Sequence, residues 1–159
     1  MFQNLLAVVV MFGGCVHSPL PRVDGARALR EARVSVAGLT IRSSEEDVRA
    51  QLGPPLRVTD ATGELTGEPE RRYFYPEIEV LVVGDEVYNV LCRGSSCGTS
   101  EGVDVGQAIE RVREVYGEGE VIKREAETLL RYSIETDRYL VFHIQSGRVR
   151  AIELWFDYT

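Results

Sequence analysis

The chain has 159 residues, which is enough for one ordinary domain or two very small ones. Its composition is that of a globular protein, with 44% hydrophobic and 27% charged residues. The formal net charge of −7 excludes the usual basis of nucleic-acid binding, in which Lys and Arg side chains displace counterions from phosphates, so we expect no nucleic-acid partner.

Residues 1–14 have the pattern of a signal peptide. The apolar run at 5–12 is too short to span a bilayer, which takes about 20 apolar residues, and matches the apolar core of a signal peptide. Gly13 and Gly14 precede Cys15, and this pattern resembles a bacterial lipoprotein signal, where cleavage leaves a cysteine that carries the lipid. An uncleaved hydrophobic N-terminus and a cleaved, unlipidated signal peptide are the alternatives.

Residues 15–35 follow as the lipidated cysteine and its tether, in which Pro19 and Pro21 favour an extended chain. In the lipoprotein family, an Asp directly after the lipidated Cys favours the inner membrane. Val16 occupies that position here. The resemblance therefore implies attachment to the outer membrane through Cys15, with the chain facing the periplasm.

Two segments of the chain, 38–53 and 102–117, resemble each other, and each begins and ends with glycine. Each predicts an extended stretch, an N-cap, a helix of about ten residues and a closing glycine in the left-handed conformation. Ser43 with Glu46 predicts a capping box in the first copy. The apolar stripes that predict ordinary core packing are Val48 with Leu52, and Ile109 with Val112 and Tyr116.

Three strand-like segments follow each helix, with turns marked by Gly84-Asp85 and Ser146-Gly147. We therefore predict an α+β fold of two tandem repeats, each a short helical segment followed by a meander of antiparallel strands, with the helices on one sheet face. The repeats are placed at 36–91 and 102–159, joined by 92–101. The predicted strands are 71–76, 77–84, 86–92, 129–135, 138–145 and 148–158.

These motifs resemble the BamE-type (SmpA/OmlA) domain of outer-membrane lipoproteins. They include "GLTI", "EDV" and "LGPP" in the first copy, and "GVDVG" and "VYG" in the second. The resemblance covers about residues 36–158, and the tandem layout is similar to that of β-lactamase inhibitory protein. Members of this family mostly bind other proteins or stabilise the cell envelope and are not generally enzymes. The resemblance implies an envelope protein partner.

Sequence motifs for catalysis or cofactor binding are missing. Of the two histidines, His17 lies in the tether and His143 in the alternating segment "YLVFHIQ", without a nucleophile elbow. No phosphate loop, dinucleotide fingerprint or HExxH occurs. We therefore expect no catalytic residue and no cofactor. A small-ligand binder or enzyme stays an alternative, which a deep polar pocket would favour.

Cys92 and Cys97 lie in a Gly/Ser-rich turn with four residues between them. A metal site with His143 is conceivable, but structural zinc sites use four ligands and a second pair is missing. A redox pair needs two intervening residues at a helix start. An exported chain meets an oxidising compartment, and Cys15 has its own use as the lipid anchor. We therefore predict a Cys92–Cys97 disulfide and no metal.

The last predicted strand shows which sheet face should be open. Successive side chains point to opposite faces, so Ile152 and Leu154 lie on one face and Glu153 and Trp155 on the other. The second row is flanked by acids and should face outward, which leaves Trp155 accessible. Aromatic residues on an open sheet face match the composition of binding hot spots. The partner-binding candidates are Tyr73, Tyr75, Tyr139, His143 and Trp155.

The sequence therefore favours a periplasm-facing lipoprotein that acts as a protein-binding or envelope-assembly module through this face. In the alternative arrangement, the aromatics pack against the tether or the "LTGEPE" loop. The alternative function is a secreted proteinaceous inhibitor of an enzyme, which an unlipidated N-terminus would favour.

Overall fold

The computed structural model of the protein describes residues 34–64 and 67–157. Within these ranges, helices α1 (Glu45–Leu52) and α2 (Ile109–Tyr116) pack against one face of an eight-stranded antiparallel sheet. The predicted α+β class is confirmed. Neither of these two described helices has the length and apolar character of a membrane span. The predicted signal peptide, Cys15, His17 and the tether as far as residue 33 lie outside the described residues.

The sheet runs in the order β1-β2-β3-β4-β8-β7-β6-β5, so that β4 and β8 form its centre. Each half of the described chain has one helix followed by four strands, and in each half the first strand lies at the sheet edge and the fourth at the centre. The tandem repeat itself stays a prediction. The strands are β1 (Arg57–Thr62), β2 (Pro69–Phe74), β3 (Ile78–Val83), β4 (Glu86–Cys92), β5 (Glu120–Lys123), β6 (Thr128–Glu135), β7 (Arg138–Gln145) and β8 (Arg148–Phe156).

The prediction of three strands per half is wrong, because each half has a fourth strand at the edge of the sheet. In β1, five of the six residues are exposed, and no polar–apolar alternation marks it. Its six residues pair in register with β2. In β5, four residues pair with the first half of β6. Both strands therefore depend on backbone pairing with a neighbour rather than on a buried apolar row.

The helix α1 begins one residue later than predicted. Its N-cap is Ser44, whose hydroxyl accepts a hydrogen bond from the Asp47 amide at 3.2 Å, while the Asp47 carboxylate accepts one from the Ser44 amide at 2.8 Å. The predicted capping box of Ser43 with Glu46 is therefore wrong. The Ser43 hydroxyl accepts a hydrogen bond from the Thr40 amide at 3.1 Å, so it stabilises the preceding turn instead.

A glycine ends each helix with the same backbone conformation. Gly53 has φ 74° and ψ −157°, and Gly117 has φ 79° and ψ −162°. The positive φ agrees with the prediction, but the ψ values place both residues in an extended region that only glycine adopts easily, not in the left-handed helical region. Their amides donate to the carbonyls of Arg49 and Arg113 at 2.9 and 2.8 Å, which closes the last turns.

The core lies between the helices and one face of the sheet. Tyr116 connects α2 to the segment that joins the two halves: its buried hydroxyl lies 2.8 Å from both Thr99 Oγ1 and Glu101 Oε2. Because a carboxylate only accepts, Tyr116 donates to Glu101 and accepts from Thr99. Burial raises the pKa of Tyr116 well above its ordinary value of 10.0. The fully buried sheet residues of this core include Val80, Val90, Leu130, Leu140, Phe142, Ile152 and Leu154.

The predicted disulfide joins Cys92 at the end of β4 to Cys97, with the Cα atoms 5.7 Å apart and both residues buried. Gly94 lies inside this short loop, and its amide is 3.2 Å from the Cys97 sulfur. A side chain at Gly94 would meet the end of the exposed Glu77 side chain, which would have to move aside. Zinc binds cysteine as a thiolate, and the two sulfurs are joined in a disulfide, so they are not available for a zinc site with His143.

Candidate functional site

The sheet face opposite the helices, here called the outer face, carries Trp155 on the central strand β8, one residue before that strand ends. Backbone pairing places Asn89 of β4, Trp155 of β8 and Tyr139 of β7 side by side. The neighbouring row contains Leu91, Glu153, Val141 and Arg131, and the next contains Ala151, His143 and Leu129. Among the described residues, the main core cluster that includes the helices contains none of these side chains.

Trp155 and Tyr139 form an aromatic pair on the outer face. Their ring centroids are 6.2 Å apart and the rings are tilted by 47°. Both side chains are half-buried, so part of each ring stays accessible to a partner. Leu154 and Leu140, one step away in each strand, are fully buried in the core, so Trp155 and Tyr139 lie together on the opposite face, as the strand alternation predicts.

The Arg131 guanidinium packs against the ring of Tyr139 in this aromatic pair. Its guanidinium carbon lies 4.6 Å from the Tyr139 ring centroid, within the range of a cation–π interaction. The same guanidinium donates to Glu120 Oε2 from Nε and Nη2, at 2.8 and 2.7 Å. Glu120 thus holds Arg131 in place over Tyr139, and the three aromatic and cationic groups present a pre-organised surface.

A cleft of about 550 Å³ opens beside Tyr139 at the edge of β6. It forms because β5 pairs only with the first four residues of β6 and leaves Tyr132–Glu135 without an outer neighbour among the described strands. Its lining includes Tyr139, Arg131, Ser133, Glu120, Tyr132 and Ile134.

His143 forms a polar cluster at the other end of the outer face. Its Nδ1 lies 3.0 Å from Glu127 Oε2, and its Nε2 lies 3.0 Å from Glu153 Oε2. The Asn89 amide donates to the second oxygen of Glu153 at 2.6 Å. The imidazole is only 16% exposed. Both ring nitrogens therefore face carboxylate oxygens in a half-buried setting.

Burial and two glutamates determine the pKa of this histidine. Burial alone would lower the pKa of His143, but its hydrogen bonds to Glu153 and Glu127 outweigh that effect and raise the pKa above the ordinary value of 6.5. In the same described part of the chain, no group of three or more His, Cys, Asp or Glu side chains is arranged to hold a metal ion.

The placement of Tyr73 and Tyr75 on the outer face was predicted wrongly. Tyr73 is fully buried in the helix-side core, where the Arg49 guanidinium lies 5.4 Å from its ring centroid. Tyr75 packs against the same core, and its hydroxyl donates to the Gly53 carbonyl at 3.3 Å. The outer-face aromatic of β2 is instead Phe74, covered by the Arg57 guanidinium carbon at 3.9 Å.

The sequence analysis did not identify Glu127, Glu153, Asn89 or Arg131 as parts of a site. Glu153 alternates with Trp155 and could be assigned to the same face, but its contact with Asn89 depends on the β4–β8 pairing of the two halves. Glu127 lies in a turn, where no periodic pattern indicates direction. Only His143, Tyr139 and Trp155 of the five predicted binding residues lie together on this face.

No family model and no curated protein matches the sequence. Among solved structures, the fold is similar to that of an extracellular protein containing an SCP domain from Bacillus anthracis str. Ames, with a TM-score of 0.54 and 13% identity over 74% of this chain and 44% of that one. The chain therefore spans less than half of that protein, and the likeness concerns the fold alone.

A second solved structure, a Streptococcus mutans protein named as a candidate β-lactamase inhibitor, gives a TM-score of 0.33 and 10% identity over 69% of this chain and 80% of that one. This score is too low to support an argument about fold or function. The resemblance to BamE-type domains stays a prediction.

Proposed function

We propose that this chain binds another protein through the outer face of its sheet, with Trp155 at the centre of the contact. The observation that carries the proposal is the half-buried Trp155–Tyr139 pair, with Arg131 held over Tyr139 by Glu120. Trp, Tyr and Arg are enriched in binding hot spots, and the ion pair with Glu120 already restrains the long Arg131 side chain. Paired strands supply a rigid support.

The chemistry of the face indicates what kind of partner surface fits. The aromatic pair and the adjacent cleft suit an apolar or aromatic side chain on a protruding loop. At the rim, the exposed Ser133 offers a polar group, as expected of a protein interface, whereas His143 and the Asn89 amide already bind carboxylates. Arg131 already pairs with Glu120, and Glu153 with His143 and Asn89, so a highly charged partner surface gains little here.

We place the protein at the outer membrane, anchored by a lipid on Cys15 and facing the periplasm. The support is the lipoprotein-like pattern around Cys15 and the Cys92–Cys97 disulfide, which suits an oxidising compartment. Mass spectrometry of the mature N-terminus tests this: a lipid-modified Cys15 is expected, and an unmodified terminus would favour a secreted inhibitor instead. That result would reject the proposed location but leave the proposed binding face unaffected.

The binding proposal is tested by comparing three forms of the mature chain as bait in envelope extracts. The forms are wild type, Trp155→Ala and Leu56→Ala. Leu56 is 74% exposed at the far edge of the sheet and serves as a control for losing an apolar surface side chain. A protein retained by wild type and Leu56→Ala but lost with Trp155→Ala supports the proposal. Equal retention by all three forms contradicts it.

A further inference from the structure

The contacts of His143 require two protons on its ring. Each ring nitrogen lies 3.0 Å from a carboxylate oxygen, one from Glu127 and one from Glu153. An ionised carboxylate can only accept a hydrogen bond, and a neutral imidazole has a single N–H. With both carboxylates ionised, only the imidazolium form satisfies both contacts. Losing its proton leaves a nitrogen lone pair facing a carboxylate.

The strands on either side of His143 add little charge to this cluster. On β6, Leu129 lies directly opposite, and the nearest charged residue on that face, Arg131, is paired elsewhere. On β8, Ala151 lies opposite, Glu153 is the charged neighbour that contacts the ring, and Arg150 lines the same cleft as Glu127. The proton on His143 is therefore governed mainly by the two glutamates that contact it.

The two glutamates are held with unequal strength. Glu153 belongs to the long central strand β8 and also accepts from the Asn89 amide at 2.6 Å. Glu127 belongs to the turn between β5 and β6, where the Arg124 amide donates to the Glu127 carbonyl at 2.9 Å and the Arg124 guanidinium lies 3.7 Å from its carboxylate. When the histidine loses its proton, Glu127 is the partner that can leave.

We propose that His143 is a proton-operated latch, which ties the β5–β6 turn to strand β8 when protonated and releases Glu127 when it loses the proton. The latch lies on the outer face, because Glu153 is two residues from Trp155 on the same face of β8. Partner affinity should therefore fall as the pH rises through the titration of His143. This regulatory consequence rests on the proposed function, whereas the latch itself does not.

Replacing Glu127 with glutamine tests the latch, because an amide can donate where a carboxylate cannot. In Glu127→Gln, the amide can donate to the unprotonated Nδ1 while Nε2–H donates to Glu153, so the bridge closes without an extra proton. The matched control is Glu125→Gln, which removes the same charge from the same turn but has no hydrogen bond to His143.

The measurement is the titration of the His143 ring by NMR in the full chain, together with amide exchange of Arg124 corrected for intrinsic pH dependence. Wild type should titrate above 6.5, and its Arg124 exchange should rise about tenfold or more across that titration, as the loss of one charge-assisted hydrogen bond predicts. Glu127→Gln should lower the titration midpoint and abolish the rise, and Glu125→Gln should do neither.

Two results would overturn the latch: a wild-type midpoint at or below 6.5, or identical behaviour of Glu127→Gln and Glu125→Gln. Failure of the binding proposal is seen separately, in a Trp155→Ala variant that keeps its partner while the His143 titration is unchanged. A latch that operates as described, combined with partner affinity that does not vary with pH, would refute the regulatory consequence alone.

Discussion

The substitution Tyr116→Phe removes one buried hydroxyl group and should destabilise the fold. The Tyr116 hydroxyl donates to Glu101 at 2.8 Å and accepts from Thr99 at 2.8 Å, and the Val103 amide donates to the same Thr99 hydroxyl at 3.2 Å. The substitution removes one hydrogen bond to a charged group and leaves the buried Thr99 hydroxyl without its acceptor. We expect a loss of about 2 kcal/mol in the free energy of unfolding, the middle of the range for a hydrogen bond to a charged group.

The control for this substitution is Tyr139→Phe, which makes the same chemical change on the half-buried outer face. Urea unfolding at neutral pH, followed by circular dichroism, should give a lower midpoint for Tyr116→Phe with an unchanged slope. Thermal unfolding should shift down by about 4–8 °C for a chain of this size. A loss below about 0.5 kcal/mol, or one equal to that of Tyr139→Phe, would refute the assigned network.

Other predictions concern the backbone, the disulfide and pH. Gly53→Ala and Gly117→Ala should each cost about 1–3 kcal/mol in urea unfolding, because no neighbour lies within 4 Å and only the backbone conformation opposes the methyl group; two neutral substitutions would contradict this. A thiol assay on the unfolded, unreduced mature chain should find Cys92 and Cys97 unreactive, and replacing both with Ser should cost about 2 kcal/mol for so short a loop. The stabilisation from His143 should be complete below pH 6.5 and should be lost as the pH rises through its raised pKa, so the wild-type advantage over His143→Phe should shrink in that direction.

The central strands could be predicted from sequence because their buried rows are unambiguous. In β8, Ile152 and Leu154 alternate with Glu153 and Trp155, and the first pair is fully buried. In β2, aromatics occupy both rows, so the pattern does not determine which row faces the helices. The choice of Tyr73 was wrong because its ring fits beneath α1 beside Arg49, a contact that only the folded chain creates.

The edge strands and the polar cluster depend on tertiary pairing that the sequence does not show. The strand β5 has four residues and becomes a strand only by pairing with β6. The His143 cluster needs a turn residue, Glu127, and a residue of the other half, Asn89, to meet around Glu153. Local periodicity shows that His143 and Glu153 can share a face, but it does not show which side chains approach them.

The most direct test of the binding face is a titration of the captured partner against purified wild type, Trp155→Ala and Leu56→Ala. A hot-spot tryptophan contributes about 2 kcal/mol or more, so Trp155→Ala should weaken binding about thirtyfold or more, while Leu56→Ala should bind as wild type. Circular dichroism must show that both variants are folded. Equal dissociation constants for wild type and folded Trp155→Ala would contradict a binding role for the outer face.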